Sequence, residues 1–175
     1  MYNDTHTLGY STPLGKEEVK EFLEQRLKPG MKILDMGPGQ GTYYNLLGPN
    51  YNWSGVEIWH PAVEALQDKY NMIYEMDIRD FVYIRHYDLV IFGDVLEHMT
   101  IEDAQKCIAN AKENADSILI AFPYDLKQGA IYGNEAERHI QYTTTPELFD
   151  KYYPGFTRIY YTEEHQYGYY YWSKK

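Results

Sequence analysis

The chain has 175 residues, 44% hydrophobic and 24% charged, a globular balance long enough for a real core and expected to form one domain. Lys plus Arg number 16 against 26 Asp plus Glu, a formal net charge of −10, which disfavours gripping a nucleic-acid backbone or docking on anionic lipid. A single cysteine, Cys107, excludes an intramolecular disulfide framework and a Cys-built zinc site.

The polar N-terminal stretch lacks a signal-like pattern, and the apolar run 89–92 is far short of a membrane span. A cytoplasmic location is therefore expected. Val19, Phe22, Leu23 and Leu27 recur at helical spacing and predict a helix over 16–27, acidic at its start and stopped by Pro29-Gly30. Residues 31–36 read as a strand, followed by a glycine-rich turn and a short helix over 42–47. The cycle repeats with a strand at 53–57, a helix at 61–70 and a strand at 71–76, then a short turn or helix through residue 81. The apolar run 88–92 suits a strand buried on both faces of a parallel sheet. A helix over 102–114 carries Ala104, Cys107, Ile108 and Ala111 on one stripe, and 117–122 is a fifth strand ended by Pro123.

Beyond Pro123 the periodicity stops. Residues 124–144 predict a long loop with one helical turn, and loops of that length often cover a binding site. A short helix over 146–153 follows, then two strands at 157–162 and 167–172 around a tight connection, an antiparallel pair. The 20 tyrosines, crowded towards the C-terminus, read as sheet-forming aromatics with a wet hydroxyl end. The fold class expected is α/β: a mostly parallel sheet with helices on both faces, finished by an antiparallel hairpin.

Two features point to a ligand. Gly37-Pro38-Gly39-Gln40-Gly41 joins the first parallel strand to a helix, where backbone can approach a ligand closely. Glu57 lies 20 residues beyond Gly37, at the end of the second strand, where a carboxylate can accept from both hydroxyls of a ribose. The dinucleotide pattern G-x-G-x-x-G fails, because its third glycine would fall on Thr42. No lysine follows the glycines as a P-loop requires. Hydride transfer on a nicotinamide is therefore the weaker alternative.

These residues resemble a known family. The stretch from Ile33-Leu34-Asp35-Met36 through Gly41 is similar to the first motif of the class I S-adenosylmethionine-dependent methyltransferases. Gly55-Val56-Glu57 resembles their second motif, Met76-Asp77-Ile78-Arg79-Asp80-Phe81 the third, and Tyr87 through Met99, including Gly93-Asp94-Val95-Leu96-Glu97-His98, the fourth. The resemblance runs from about residue 31 to 124 and implies the family's seven-stranded Rossmann-like sheet. It implies S-adenosyl-L-methionine as cofactor and S-adenosyl-L-homocysteine as product. Gly37, Gly39 and Gly41 would then shape the turn under the methionine part, with Asp35 supporting it or its ammonium. Glu57 would hold the ribose, and Ile58 or Trp59 would pack on the adenine. Asp77 would accept from the adenine amino group, the Ile78 backbone would meet a ring nitrogen, and the Gly93 carbonyl would face the cofactor's amino group. Capping a helix N-terminus is the plain alternative for Asp77 and Asp94.

The expected reaction is methyl transfer to a small hydroxylated acceptor, such as a sugar or glycan precursor, by a monomer or homodimer. An alcohol needs a base beside it, whereas a free amine does not. His98 and His139 are the candidate bases, with Asp94 beginning the substrate side. A helical turn would put Asp94 and His98 on one side of the fourth-strand exit. Asp94, Glu97 and His98 also offer a magnesium-like set, but residues on one short helix do not face one point, and Glu97 reads equally well as solvated. No metal is expected. Residues 1–14 are a candidate lid or flexible terminus. N-methylation of a small amine and a non-catalytic cofactor-binding module are the remaining alternatives.

Overall fold

The structure, a computed structural model, describes residues 12–130 and 133–174. The proposed lid over the cofactor, carried by Tyr2, His6, Tyr10 and Ser11, lies outside the described residues. Seven strands form one sheet: β1 (Lys32–Met36), β2 (Asn52–Glu57), β3 (Met72–Glu75), β4 (Leu89–Gly93), β5 (Ser117–Pro123), β6 (Thr157–Thr162) and β7 (Tyr167–Ser173). Their spatial order is β3-β2-β1-β4-β5-β7-β6. The first five are parallel, and β7 runs antiparallel to both β5 and β6. The last strand of the chain is thus inserted beside β5, and β6 takes the edge. Strand order reverses between β1 and β4, the switch point at which open α/β sheets bind ligands.

Alternation along the strands sorts the core into two layers. Ile33, Leu89, Ile91, Leu119 and Ala121 pack beneath α1 (Lys16–Glu24), α2 (Thr42–Leu47) and α3 (His60–Leu66). Leu34, Met36, Val90, Phe92, Ile118 and Ile120 face the opposite way, towards α4 (Ile101–Asn114) and α5 (Pro146–Tyr152). Thr100 caps α4 by accepting from the Asp103 N–H, and Thr145 caps α5 by accepting from Leu148. Several of the crowded tyrosines are internal: Tyr167, Tyr169 and Tyr170 are buried along β7, and Tyr124 and Tyr170 share a hydrogen bond through their hydroxyls. Among the described residues, no helix is long and apolar enough to cross a membrane.

Three elements differ from the sequence reading. Helix α1 stops at Glu24, because the chain turns there with Arg26 and Leu27 donating back to the Leu23 carbonyl. Helix α3 stops at Leu66, short of Tyr70, which leaves Tyr70 in a turn with its hydroxyl directed at Asp35. The stretch after β4 is not an α-helical turn. Asp94 has φ 55, and only Leu96–His98 coil, as a 3-10 turn.

Phe149 anchors α5 to the sheet, stacked on Tyr170 at 3.9 Å between ring centroids and edge-on to Phe122 at 5.3 Å. Phe149→Ala is expected to cost about 3–5 kcal/mol, measured by urea unfolding. A loss below about 1 kcal/mol would contradict this packing.

Candidate active site

A cleft opens at the carboxyl ends of β1, β2 and β4, about 1010 Å³ including its mouth, which is ample for a nucleoside-sized ligand. One end is built by the turn after β1. Gly37, with φ +71, brings the backbone so close to Val95 that a Cβ would sit 2.8 Å from its methyl carbon. Gly37 N–H donates to the Val56 carbonyl at 2.8 Å, tying the turn to β2. Gly39 lines the cleft, and its N–H donates to Glu57 Oε2 at 3.0 Å. Gly41 is not on the wall: it precedes α2 with φ +74, packed against Leu66. Its role is structural support rather than contact.

Glu57 stands at the cleft wall, nearly buried, with Oε1 accepting the Trp59 N–H at 2.8 Å. Burial pushes its pKa up, while these backbone donors pull it back. Ile58 and Ile78 line the cleft beside it; Trp59 does not, and instead precedes α3. Asp77 also lines the cleft, but both of its oxygens are engaged. It caps the Ile78–Asp80 turn by accepting from Arg79 N–H at 2.8 Å, and the Arg79 guanidinium clasps it from the side. That clasp holds its pKa below the usual carboxylate range. Gly93 must be glycine because a Cβ there would lie 2.2 Å from the Tyr43 ring.

Asp35 lies below the floor and does not line the cleft. It is fully buried; Oδ2 accepts from the Tyr70 hydroxyl at 2.8 Å and Oδ1 has no hydrogen-bond partner. Burial raises its pKa to about 7 against the pull of Tyr70 and Lys16, with Glu57 adding to the rise. Lys16, which the sequence reading passed over, is a buried ammonium over the faces of Tyr43 and Tyr169. Its neighbours Glu17 and Glu18, acids of a solvated first turn, gave no hint of this.

Asp94, Val95, His98, Met99 and Glu137 also line the cleft, and Val95 meets the glycine turn. The Tyr167 hydroxyl donates to Asp94 from β7. Asp94 and His98 share this wall although no helix joins them. His98 Nδ1 faces the Arg138 carbonyl at 3.3 Å, and burial lowers its pKa to about 4, so the ring is neutral. His139 sits behind His98, edge-on at 4.8 Å between centroids, and is not on the wall. It is buried, with Nδ1 on the Leu126 carbonyl at 2.8 Å.

Glu97 corrects the expectation of a solvated acid: it is 1% exposed, and neither carboxylate oxygen has a hydrogen-bond partner. Its neighbourhood is fixed by the 138–141 segment. Ile140 and Gln141 N–H groups donate to the Glu97 carbonyl, while Gln141 Nε2 donates to the Leu96 and Met99 carbonyls. The loop after β5 is thus stapled to the exit of β4.

Residues 34–114 match the family model of a methyltransferase domain. That match spans just under half of the chain. Its fold is similar to that of N-methyltransferase NodS from Bradyrhizobium japonicum WM9 in complex with S-adenosyl-L-homocysteine. The identity is 13% over 99% of this chain and 93% of that one, with a TM-score of 0.69. Magnesium protoporphyrin IX methyltransferase (ChlM) from Synechocystis PCC 6803 with bound S-adenosylmethionine is similar at 19% identity over 91% and 78%, TM-score 0.66. A S-adenosylmethionine-dependent methyltransferase from Clostridium acetobutylicum ATCC 824 is similar at 12% identity over 88% and 87%, TM-score 0.67. No curated protein sequence matches the chain.

Two of these solved structures hold S-adenosylmethionine or S-adenosyl-L-homocysteine, and the cleft's makeup here fits such a molecule. A glycine turn leaves space for the methionine portion, a fixed carboxylate stands where a ribose would meet it, and Ile58 and Ile78 offer apolar flanks.

The Asp35 carboxyl gives a pH signature in the ligand-free enzyme. Its folded pKa lies above the unfolded value near 3.8, so its contribution is fully present below that pH and is lost as pH rises through about 7. Relative to Asp35→Asn, the wild type is expected to lose on the order of 2–4 kcal/mol between pH 4 and 8. Equal pH slopes in urea unfolding of the two proteins would contradict this.

Proposed function

We propose that this protein is an S-adenosylmethionine-dependent methyltransferase that transfers a methyl group to an oxygen of a small hydroxylated acceptor, such as a sugar or glycan precursor. The single observation that carries the reading is the His98 imidazole on the cleft wall, in a lining shared with Asp94. A hydroxyl is a poor nucleophile until a group beside it draws off its proton, and an imidazole can accept that proton once its lowered pKa is brought back towards the working pH, as the Asp94 carboxylate favours. An amine would need no such wall.

The roles proposed for the remaining residues follow the geometry. Gly37 and Gly39 shape the turn that receives the methionine portion, and Glu57 accepts from the ribose hydroxyls while bracing the turn through Gly39. Ile58 flanks the adenine with Ile78, Asp77 faces its amino group, and the Gly93 carbonyl lies at the passage between the two ends. The bound cofactor supplies an electrophilic methyl group with its own leaving group, so the protein's share is alignment and exclusion of water. Asp94 and Glu137 give the acceptor end two carboxylates, which accept from hydroxyls and repel anionic substrates.

Two measurements test this. Glu57→Ala is expected to weaken S-adenosyl-L-homocysteine binding by about 10- to 100-fold in calorimetry, since it removes charge-assisted hydrogen bonds. Unchanged affinity in a folded variant would remove Glu57 from the cofactor site. His98→Ala is expected to lower kcat about 10²- to 10⁴-fold on a hydroxylated acceptor while leaving cofactor affinity nearly unchanged. An undiminished kcat, with a rate that follows the free-amine fraction of the acceptor, would favour N-methylation instead.

A further inference from the structure

Behind the acceptor end, three side chains from two separate segments converge. Glu97 and His98 come from the turn after β4, and His139 from the loop after β5; one ligand-capable atom of each lies within 4.8 Å of the others. Glu97 Oε1 stands 3.9 Å from Nε2 of both imidazoles. That spacing is too long for a hydrogen bond and short for three groups with nothing between them. Of all the polar side chains of the described residues, Glu97 is the one whose two carboxylate oxygens are both buried and both without a partner.

The histidines are oriented as ligands are. His139 Nδ1 is held at 2.8 Å by the Leu126 carbonyl and His98 Nδ1 at 3.3 Å by that of Arg138. A carbonyl accepts, so each ring carries its proton on Nδ1 and directs the Nε2 lone pair at Glu97. Backbone carbonyls holding the second ring nitrogen are the usual outer support of metal-bound histidines. Two lone pairs and a carboxylate therefore meet in a buried space. One proton on Glu97 satisfies only one of the two imidazoles, whereas a cation satisfies all three groups.

We infer that Glu97, His98 and His139 bind one divalent first-row transition-metal ion, of the zinc or cobalt kind, at the acceptor end of the cleft. Two nitrogens and one oxygen suit such an ion better than magnesium, which favours an all-oxygen shell. Ligand atoms about 2.0–2.1 Å from a tetrahedral ion stand about 3.4 Å apart, so the two Glu97–imidazole spacings must contract by about half an ångström and the spacing between the imidazoles by up to about 1.4 Å. Asp94 and Glu137, both felt electrostatically by Glu97, add negative charge around the ion.

His98 is also on the cleft wall, so an ion held by its ring would border the acceptor end. On the oxygen-transfer reading above, on which this role rests, the ion would hold and polarise the acceptor hydroxyl. The His98 lone pair is then spent on the ion, which takes over its task, so His98 remains essential in either state.

The test is a cobalt(II) titration of chelator-treated full-length protein, with no acceptor or cofactor present, followed by visible absorption and calorimetry. One saturable site with the intense bands of low-coordinate cobalt is expected. Glu97→Gln and His139→Ala should each weaken it about tenfold or more while S-adenosyl-L-homocysteine still binds. The inference is overturned if no such bands form, or if wild type and both variants bind cobalt alike, as surface histidines would. Should His139→Ala fail to fold, the near-isosteric Glu97→Gln decides alone. Since neither acceptor nor turnover enters, failure here is distinct from failure of the oxygen-transfer reading.

Discussion

The Glu57 carboxylate holds the end of β2 to the turn that follows β1. Oε2 takes the Gly39 N–H and Oε1 the Trp59 N–H, so one side chain fixes both the glycine turn and the entry to α3. Both strands end at the same level because they pair in parallel register, Asp35 opposite Gly55 and Met36 opposite Val56. The clasp acts alongside the Gly37 N–H bond to the Val56 carbonyl in holding the turn, whose left-handed glycines pack against Val95 and Leu66. A carboxylate that is already desolvated and oriented loses little on meeting a ribose, which is the advantage of preorganisation.

The acceptor end is fixed by a different device. Gln141 reaches from the loop after β5 to the Leu96 and Met99 carbonyls, and the Tyr153 hydroxyl donates to Gln141 Oε1 at 2.7 Å. The chain thereby couples α5, the loop and the turn after β4 through buried hydrogen bonds, which are costly to leave unmade. This staple sets the spacing of His98, His139 and Glu97. Phe149 and Tyr170, packed beneath Tyr153, tie the same network to the inserted strand β7.

Local rules were enough to read the five parallel strands, the glycine turn and the acid at 57, because each rests on periodicity or on a spacing of a few residues. Helix ends were read less well where tertiary partners intervene: α3 yields its last turn so that Tyr70 can reach Asp35. The placement of β7 between β5 and β6 has no local signal, since both strands carry tyrosines. Glu97 was misread for a related reason. In the sequence it is one more acid in a short polar turn, and its burial is created by residues 138–141, some forty positions away. His139 resembled a loop histidine on the acceptor side and proves to stand one layer behind. The fourth motif marked the right turn, but the cluster it belongs to is completed by the loop after the neighbouring strand β5.

The central claim is that the β1 turn and Glu57 together receive the adenosyl group. A crystal structure of the complex with S-adenosyl-L-homocysteine tests it most directly. The account predicts both ribose hydroxyls within hydrogen-bonding reach of Glu57, with the homocysteine portion lying over residues 37–39. A nucleoside bound outside this cleft, or a ribose making no contact with Glu57, would contradict it.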